Sequence, residues 1–312
     1  MRKLLFIIIL FQLNLTAQSL AFRDQYRKLE ISQTPIPKSL PYFSPVIDSD
    51  IILKSALATE IDYTKLSIIG GVTLLGGVSV QVYQANAWWS SGRRSFHFVE
   101  DLDYALLIDK TGHFYATAIL AYGFSVGLNG SGVDPENSAI YGSVLAMAWQ
   151  TFVEINDGFG AQWGFSKTDY YSDILGAGFQ LGRYYFPFLK NFHPKMSYIP
   201  TDKLKDGKTR AIVIDDYEGQ KYWMGIRVKE LLPKSIDKYW PSILMLSVGM
   251  GVQLSDPNNR RRDLYIAFDI DTEQIPLYGP VWSFVKNSLN WLHFPMPGIR
   301  VTNGVTFFGF VY

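Results

Sequence analysis

Between Lys65 and Arg93 the sequence holds no charged residue: LSIIGGVTLLGGVSVQVYQANAWWSSG, twenty-seven positions in a row. That is long enough for a bilayer-spanning helix, which needs about 20 apolar residues. Two features set it apart from a plain span. Gly70, Gly71, Gly76 and Gly77 weaken the helix, and Gln81, Gln84 and Asn86 make its second half polar. The glycine pairs predict a helix that another helix approaches closely, because small residues bring backbones together.

Three further weakly charged blocks follow: Phe114 to Val133, ending in NGSG; Asn137 to Val153, stopped by Glu154, Asp157 and Gly158; and Ile174 to Leu189, broken by Arg183 and Pro187. Four helix-like apolar blocks in succession predict a compact helical bundle, the buried core of an exported domain, with a bilayer location as the rival. From about residue 195 the pattern changes. Segments 208–229, 242–255 and 263–271 are rich in β-branched and aromatic residues, and the terminal NGVTFFGFVY alternates in the strand manner. DPNN (256–259) and the terminal NG mark turns. Five or six strands are too few for an outer-membrane barrel, which needs at least about eight. WSFVKNSLNWL (282–292) reads as a helix. The expected class is therefore α+β: about four apolar helices followed by antiparallel strands, as a small sheet on the bundle or strands lent to a partner's barrel.

The first residues, MRKLLFIIILFQLNLTAQSL, have a basic start, an apolar run too short to span a bilayer, and small residues near Ala17 to Ala21. This is the pattern of an export signal. Residues 33–50 carry Pro35, Pro37, Pro41 and Pro45, which forbid a continuous helix. The expected organisation is a leader (1–20), an extended arm (21–60), a helical core (61–195) and a β-rich region (196–312). Cysteine is absent from the sequence, which removes thiolate chemistry, disulfides and a lipid-bearing cysteine. Twenty-nine basic residues against twenty-eight acidic ones leave no excess positive charge for binding nucleic acid. Only 18% of residues are charged and 15% are aromatic, against about a quarter charged in ordinary soluble domains. Membrane contact or a large protein interface is implied.

The polar residues cluster at the ends of the apolar blocks. Asp109 and His113 lie four apart in DKTGHF, one helical turn. Glu154 and Asp157 lie three apart in EINDG, Asp169 and Asp173 four apart in TDYYSD, and Asp101 four after His97. If the helices bundle, Asp101, Asp109, His113, Glu154, Asp157, Asp169 and Asp173 form one structural polar cluster. Two readings stand. The acids and the imidazole cap helices and bond inside the fold, Asp109 as an N-cap and Gly158 as a helix end, with Lys110 a solvated neighbour. Or Asp109, His113, Glu154 and Asp169 do acid–base work, with His113, Glu154 and Asp169 the metal-ligand candidates. No HExxH, phosphate loop or nucleophile elbow is present, and Ser166 has no histidine at informative spacing. Trp88 and Trp89 read as a core anchor or interface belt. No catalytic residue, cofactor or small-molecule substrate is assigned.

WW (88–89), 96–117, 150–177, KMSYIP (195–200) and DYEGQKYWMGI (216–226) resemble an uncharacterised bacterial envelope family. Its short members are YfiM-like lipoproteins and its long ones occur in Bacteroidetes-type bacteria. The same skeleton is distantly similar to VanZ-type membrane proteins at Asp109, Lys110, His113, Glu154, Asp169 and Gly176. It departs from them at Asp157, Lys167 and Asp173, where Gln, Arg and Asn are usual. Long members are also similar to the small subunit that plugs the barrel of the type IX secretion translocon. The resemblance implies an exported envelope protein, on the periplasmic side of the outer membrane or associated with it. The expected role is a non-enzymatic structural or gating subunit with an outer-membrane protein partner; the alternative is a VanZ-like membrane or metal-dependent envelope enzyme using Asp109, His113, Glu154 and Asp169.

Overall fold

The computed structural model describes residues 60–206 and 213–312. The expected leader and the proline-rich arm up to residue 59 lie outside the described residues, as do residues 207–212 at the head of the first expected strand segment.

Four long helices come first: α1 (Tyr63–Ala87), α2 (Ile108–Gly130), α3 (Pro135–Phe159) and α4 (Lys167–Tyr185). Their starts follow local chemistry. Asp62 accepts the amides of Thr64 and Lys65 at 3.1 and 3.0 Å, Asp134 accepts Asn137 N at 3.0 Å ahead of Pro135, and Ser166 Oγ accepts Asp169 N at 3.1 Å. DKTGHF is helical, so Asp109 and His113 do share a face. Helices α2, α3 and α4 pack on one another.

Helix α1 departs from the expected buried core. Only Ile69 and Gln84 are buried, while Leu74, Leu75, Val78 and Val82 stand open. Of its four glycines, only Gly77 faces a neighbour, the Trp149 ring. The physical reason is that the apolar residues surround α1 instead of forming one stripe, so no single face specifies a partner helix. Among the described helices, α1 alone is long and apolar enough to cross a membrane.

Before α2 the chain makes an unusual turn. Ala105, Leu106 and Leu107 are all left-handed, with φ of 47°, 57° and 70°. Such residues cost roughly 1–2 kcal/mol each. The turn is held by Arg262 Nε on Leu106 O (3.0 Å) and Thr111 Oγ1 on Leu107 O (2.9 Å).

Two short strands, β1 (Phe98–Val99) and β2 (Phe165–Ser166), pair in parallel beside the bundle. The second half of the chain is a six-stranded antiparallel meander: β3 (Phe192–Tyr198), β4 (Gln220–Ile226), β5 (Leu244–Gln253), β6 (Arg261–Ile270), β7 (Met296–Arg300) and β8 (Thr306–Val311). The α+β class holds. Asn303 and Gly304 both take positive φ in the last hairpin, as an Asn-Gly turn requires. Helix α5 (Pro280–Leu289) occupies the stretch read as helical. After it, Met196 N donates to Trp291 O and His293 N to Met196 O, both at 2.9 Å. The segment leading into β7 therefore reaches the free edge of β3, and the sheet curls back toward itself.

One sheet face mixes charged residues with an aromatic cluster of Trp223, Tyr265, Ala267 and Val311 and is largely buried; the other is apolar, covered by α2 at Tyr222 and Val252 and open elsewhere. On β6, Asp263, Tyr265, Ala267 and Asp269 are buried, whereas Leu264, Ile266 and Phe268 are exposed. The pairing register carries an apolar row across all six strands: Pro194, Met224, Val248, Ile266, Ile299 and Phe307. On the opposite face the row Lys195, Trp223, Gly249, Tyr265 and Arg300 lies inside. Gly249 is needed there, because a Cβ would fall 2.1 Å from the Trp223 ring. The bundle docks through α2: Ile108, Tyr115 and Ala118 pack with Tyr222, Val252 and Trp291, and Tyr115 OH donates to Trp291 O at 2.9 Å. Burying each large apolar side chain in this junction contributes about 1.5–3 kcal/mol.

Candidate functional site

Three helices each present polar residues one turn apart toward a common interior: Asp109, His113 and Thr117 from α2, Gln150 and Glu154 from α3, and Asp169 and Asp173 from α4. Close helix approach makes this possible. At Gly176 a Cβ would sit 2.3 Å from Phe114 O, so only glycine lets α4 lie this near α2 and bring Asp173 to His113.

Asp173 is fully buried. Its Oδ1 receives His113 Nδ1 at 3.1 Å, Thr117 Oγ1 at 2.7 Å and Gln150 Nε2 at 3.0 Å, while its Oδ2 has no hydrogen-bond partner among the described residues. The other ring nitrogen of His113, Nε2, lies 3.9 Å from both Glu154 Oε1 and Asp169 Oδ2, beyond hydrogen-bond range. Glu154 is 2% exposed, and its Oε2 accepts Ser166 N at 3.0 Å.

Beside this lies a second knot. Lys110 is buried, and its ammonium is 2.7 Å from Asp101 Oδ2, 3.0 Å from Asp109 Oδ2 and 3.0 Å from Asp169 Oδ1. The contact to Asp169 is an ion pair without hydrogen-bond alignment, since that oxygen has no bonded donor. Asp101 also takes Ser166 Oγ (2.6 Å) and Thr168 Oγ1 (2.9 Å), and Asp109 takes Tyr217 OH (2.7 Å). Asp157 takes Trp89 Nε1 at 2.6 Å. His97 turns away to the carbonyl of Trp163.

Six carboxylates thus meet Lys110 and His113, and the proton affinities of Asp101, Lys110, His113, Glu154, Asp157 and Asp169 reflect it. Burial pushes Glu154 up to about 9, helped by the charge of Asp169 and opposed by that of His113. Burial also pushes Asp157 and Asp169 up to about 6. For His113, burial favours the neutral ring, but the bond and charge of Asp173, with Asp169 and Asp109, outweigh it and hold the imidazole well above its ordinary value. Lys110 is raised in the same way by Asp109, Asp101 and Asp169 against the effect of burial. Asp101 is held low despite burial, by Lys110 and the hydroxyls of Ser166 and Thr168.

Asp101, Asp109, His113, Glu154, Asp169 and Asp173 are therefore brought together, with Asp157 anchored to Trp89. Asp109 is no N-cap. Leu107 holds that position in a left-handed conformation and offers no side-chain oxygen, which leaves Asp109 for Tyr217 and Lys110. Gly158 lies in the last turn of α3, one residue short of its end. Lys110 is no solvated neighbour, because the turn at Ala105–Leu107 folds Asp101 back over it. Thr117 and Gln150 join the cluster as well, each four residues from one of its members, a spacing that the sequence shows. Tyr217 and Trp89 are joined by tertiary contact alone and leave no spacing signal.

A second polar network lies inside the curled sheet and was not read from the sequence. Lys195 Nζ is 3.4 Å from Asp269 Oδ1, both side chains fully buried, and donates to Ile270 O at 2.8 Å. Asp269 Oδ2 also receives His293 Nδ1 (2.8 Å) and Ser247 Oγ (2.9 Å), and His293 stacks on Trp223 at 3.8 Å. Arg227 pairs with Asp271 and Glu273 nearby.

Residues 98–185, which hold Asp101 through Asp173, match the family model described as a predicted periplasmic lipoprotein (DUF2279). No curated protein and no solved structure matches the chain. The matched segment carries the cluster but no lipid-bearing cysteine, which this sequence lacks throughout. The cluster segment is thus similar to an uncharacterised periplasmic family, and the chain is an exported, envelope-associated protein.

Proposed function

We propose that this protein is a non-enzymatic, structural or gating subunit of an outer-membrane protein assembly, plug-like in the manner of a secretion-translocon subunit. One observation carries the reading: beyond the part of the apolar sheet face that α2 covers, Val248 is 47%, Ile266 37% and Phe307 71% exposed, with Leu264 and Phe268 open beside Ile266, while Pro194 at the β3 end of the row is buried. A sheet with one wet face ordinarily turns its polar side outward. A contiguous apolar face of this kind marks a surface that protein or lipid covers. Exposed α1 adds to the same argument, and the internal pairing of Lys110, Asp101 and Asp109 fits side chains that fasten the bundle.

Affinity purification of the tagged full chain from detergent-solubilised outer membranes tests this. The reading expects recovery with an integral outer-membrane protein in fixed stoichiometry. Recovery as a monodisperse monomer that stays soluble without detergent counts against it. A second reading, a metal-dependent or VanZ-like envelope enzyme, draws support from the convergence of Asp109, His113, Glu154 and Asp169. It requires that a folded His113→Ala variant keep the partner yet lose the cellular function.

A further inference from the structure

Two trios of potential ligands meet at His113. In the first, Asp109, His113 and Asp169, the Lys110 ammonium already stands 3.0 Å from an oxygen of each acid, so a cation is supplied by the chain itself. In the second, His113, Glu154 and Asp173 each place one donor atom within 4.8 Å of the other two, and no lysine or arginine lies among them. Each comes from a different helix: α2, α3 and α4.

Two further observations point to a ligand at the second trio. Asp173 Oδ2 belongs to a side chain with no solvent exposure and has no hydrogen-bond partner among the described residues. An orphaned, buried carboxylate oxygen costs roughly 1–3 kcal/mol or more, so a native fold seldom keeps one without a use. Within the trio His113 Nδ1 is bonded to Asp173 Oδ1 at 3.1 Å, whereas His113 Nε2 stands 3.9 Å from Glu154 Oε1, too far to bond it. An imidazole nitrogen and a carboxylate oxygen that face each other at that distance without bonding leave room for an ion between them. A tetrahedral site with metal–ligand bonds of about 2.0–2.2 Å needs donors roughly 3.5 Å apart, so atoms within 4.8 Å of one another need to close by at most about 1.3 Å.

We propose that His113, Glu154 and Asp173 bind one divalent metal ion of the zinc class, one ligand from each packed helix, and that the ion clasps α2, α3 and α4 together. One imidazole with two carboxylates favours a borderline transition metal over Mg2+ or Ca2+, which prefer all-oxygen sets. Asp169 Oδ2 borders the site, and the 20% exposure of the His113 side chain gives the route in.

The test uses the full chain in mild detergent, stripped with a chelator and titrated with Zn2+, with Mg2+ and Ca2+ as parallel arms. Calorimetry should give one Zn2+ per chain, bound at least tenfold more tightly than Mg2+, and Zn2+ should raise the melting temperature. Glu154→Gln keeps the side-chain volume, and His113→Asn removes the ring at the most exposed edge of the site. Each, where circular dichroism shows it folded, should lose at least tenfold in Zn2+ affinity. The proposal is overturned if the stripped wild-type protein takes up no Zn2+ at this stoichiometry, or if either folded variant binds Zn2+ as the wild type does. This result is independent of whether a membrane partner is found.

Discussion

His113 Nδ1 and Asp173 Oδ1 are 3.1 Å apart at the centre of the three-helix bundle, and the same oxygen also takes Thr117 and Gln150. One buried carboxylate atom thus joins α2, α3 and α4. Asp173→Ala removes the common acceptor and leaves three donors buried. Breaking a buried charge pair from one side costs about 3–5 kcal/mol. Chemical denaturation of the metal-free protein should show a loss of that size, and a loss below about 1 kcal/mol would mean that the junction does not hold the bundle.

Gly176 sets the distance on which that junction depends. Gly176→Ala gains about 1 kcal/mol in helix propensity. Against this, the new methyl meets the backbone oxygen of Phe114 at 2.3 Å, an atom that cannot swing aside. Overpacking of this kind costs about 1–3 kcal/mol. A net destabilisation is expected, with α4 displaced from α2; a variant more stable than wild type would contradict the close approach.

Acidity should stabilise the metal-free bundle through Glu154. Its folded pKa, about 9, lies above the ordinary 4.5, so the folded state binds the proton more tightly. The stability this contributes is complete below pH 4.5 and lost as pH rises toward 9. His113 acts in the same direction above pH 6.5, since its folded pKa is also raised. Groups in the sheet that titrate oppositely, such as His193, obscure the raw profile. The comparison with Glu154→Gln isolates the effect. Melting temperature in chelator should fall more steeply from pH 5 to 9 for wild type than for the variant, and parallel profiles would refute the assignment.

Lys195 and Asp269 make the corresponding prediction for the sheet interior. Lys195→Met leaves Asp269 buried without its lysine, held by His293, Ser247 and the backbone amides of Ile270 and Phe294, at a cost of about 3–5 kcal/mol. Lys195→Met combined with Asp269→Leu should recover a large part of that loss in denaturation experiments. Additive losses would show that the two residues do not act as a pair.

These two interiors differ in how far they can be read from the chain. In the bundle, Asp109/His113 and Asp169/Asp173 repeat at the helical turn beside apolar blocks, so their convergence follows once the helices pack. The sheet inverts the usual rule. In β3 the sequence FHPKMSY alternates polar and apolar residues, which reads as a strand with His193, Lys195 and Ser197 facing water. The curl of the meander turns that face inward and leaves Val248, Ile266 and Phe307 outside. Periodicity gives the alternation but not which face closes on itself. Lys110 was obscured for a related reason: the left-handed turn at Ala105–Leu107, formed without glycine, folds Asp101 over it. Helix α1 shows the reverse limit, since its uncharged length says nothing about whether neighbours cover it.

A subunit of an outer-membrane assembly must have its apolar sheet face covered in the cell. A photo-crosslinking residue placed at Ile266, on the outer face, and at Tyr265, on the inner face, tests this in intact cells. The prediction is a single abundant adduct with an outer-membrane protein from position 266 and none from position 265. Equal labelling from both positions, or no protein adduct from 266 in a folded, exported chain, would contradict it.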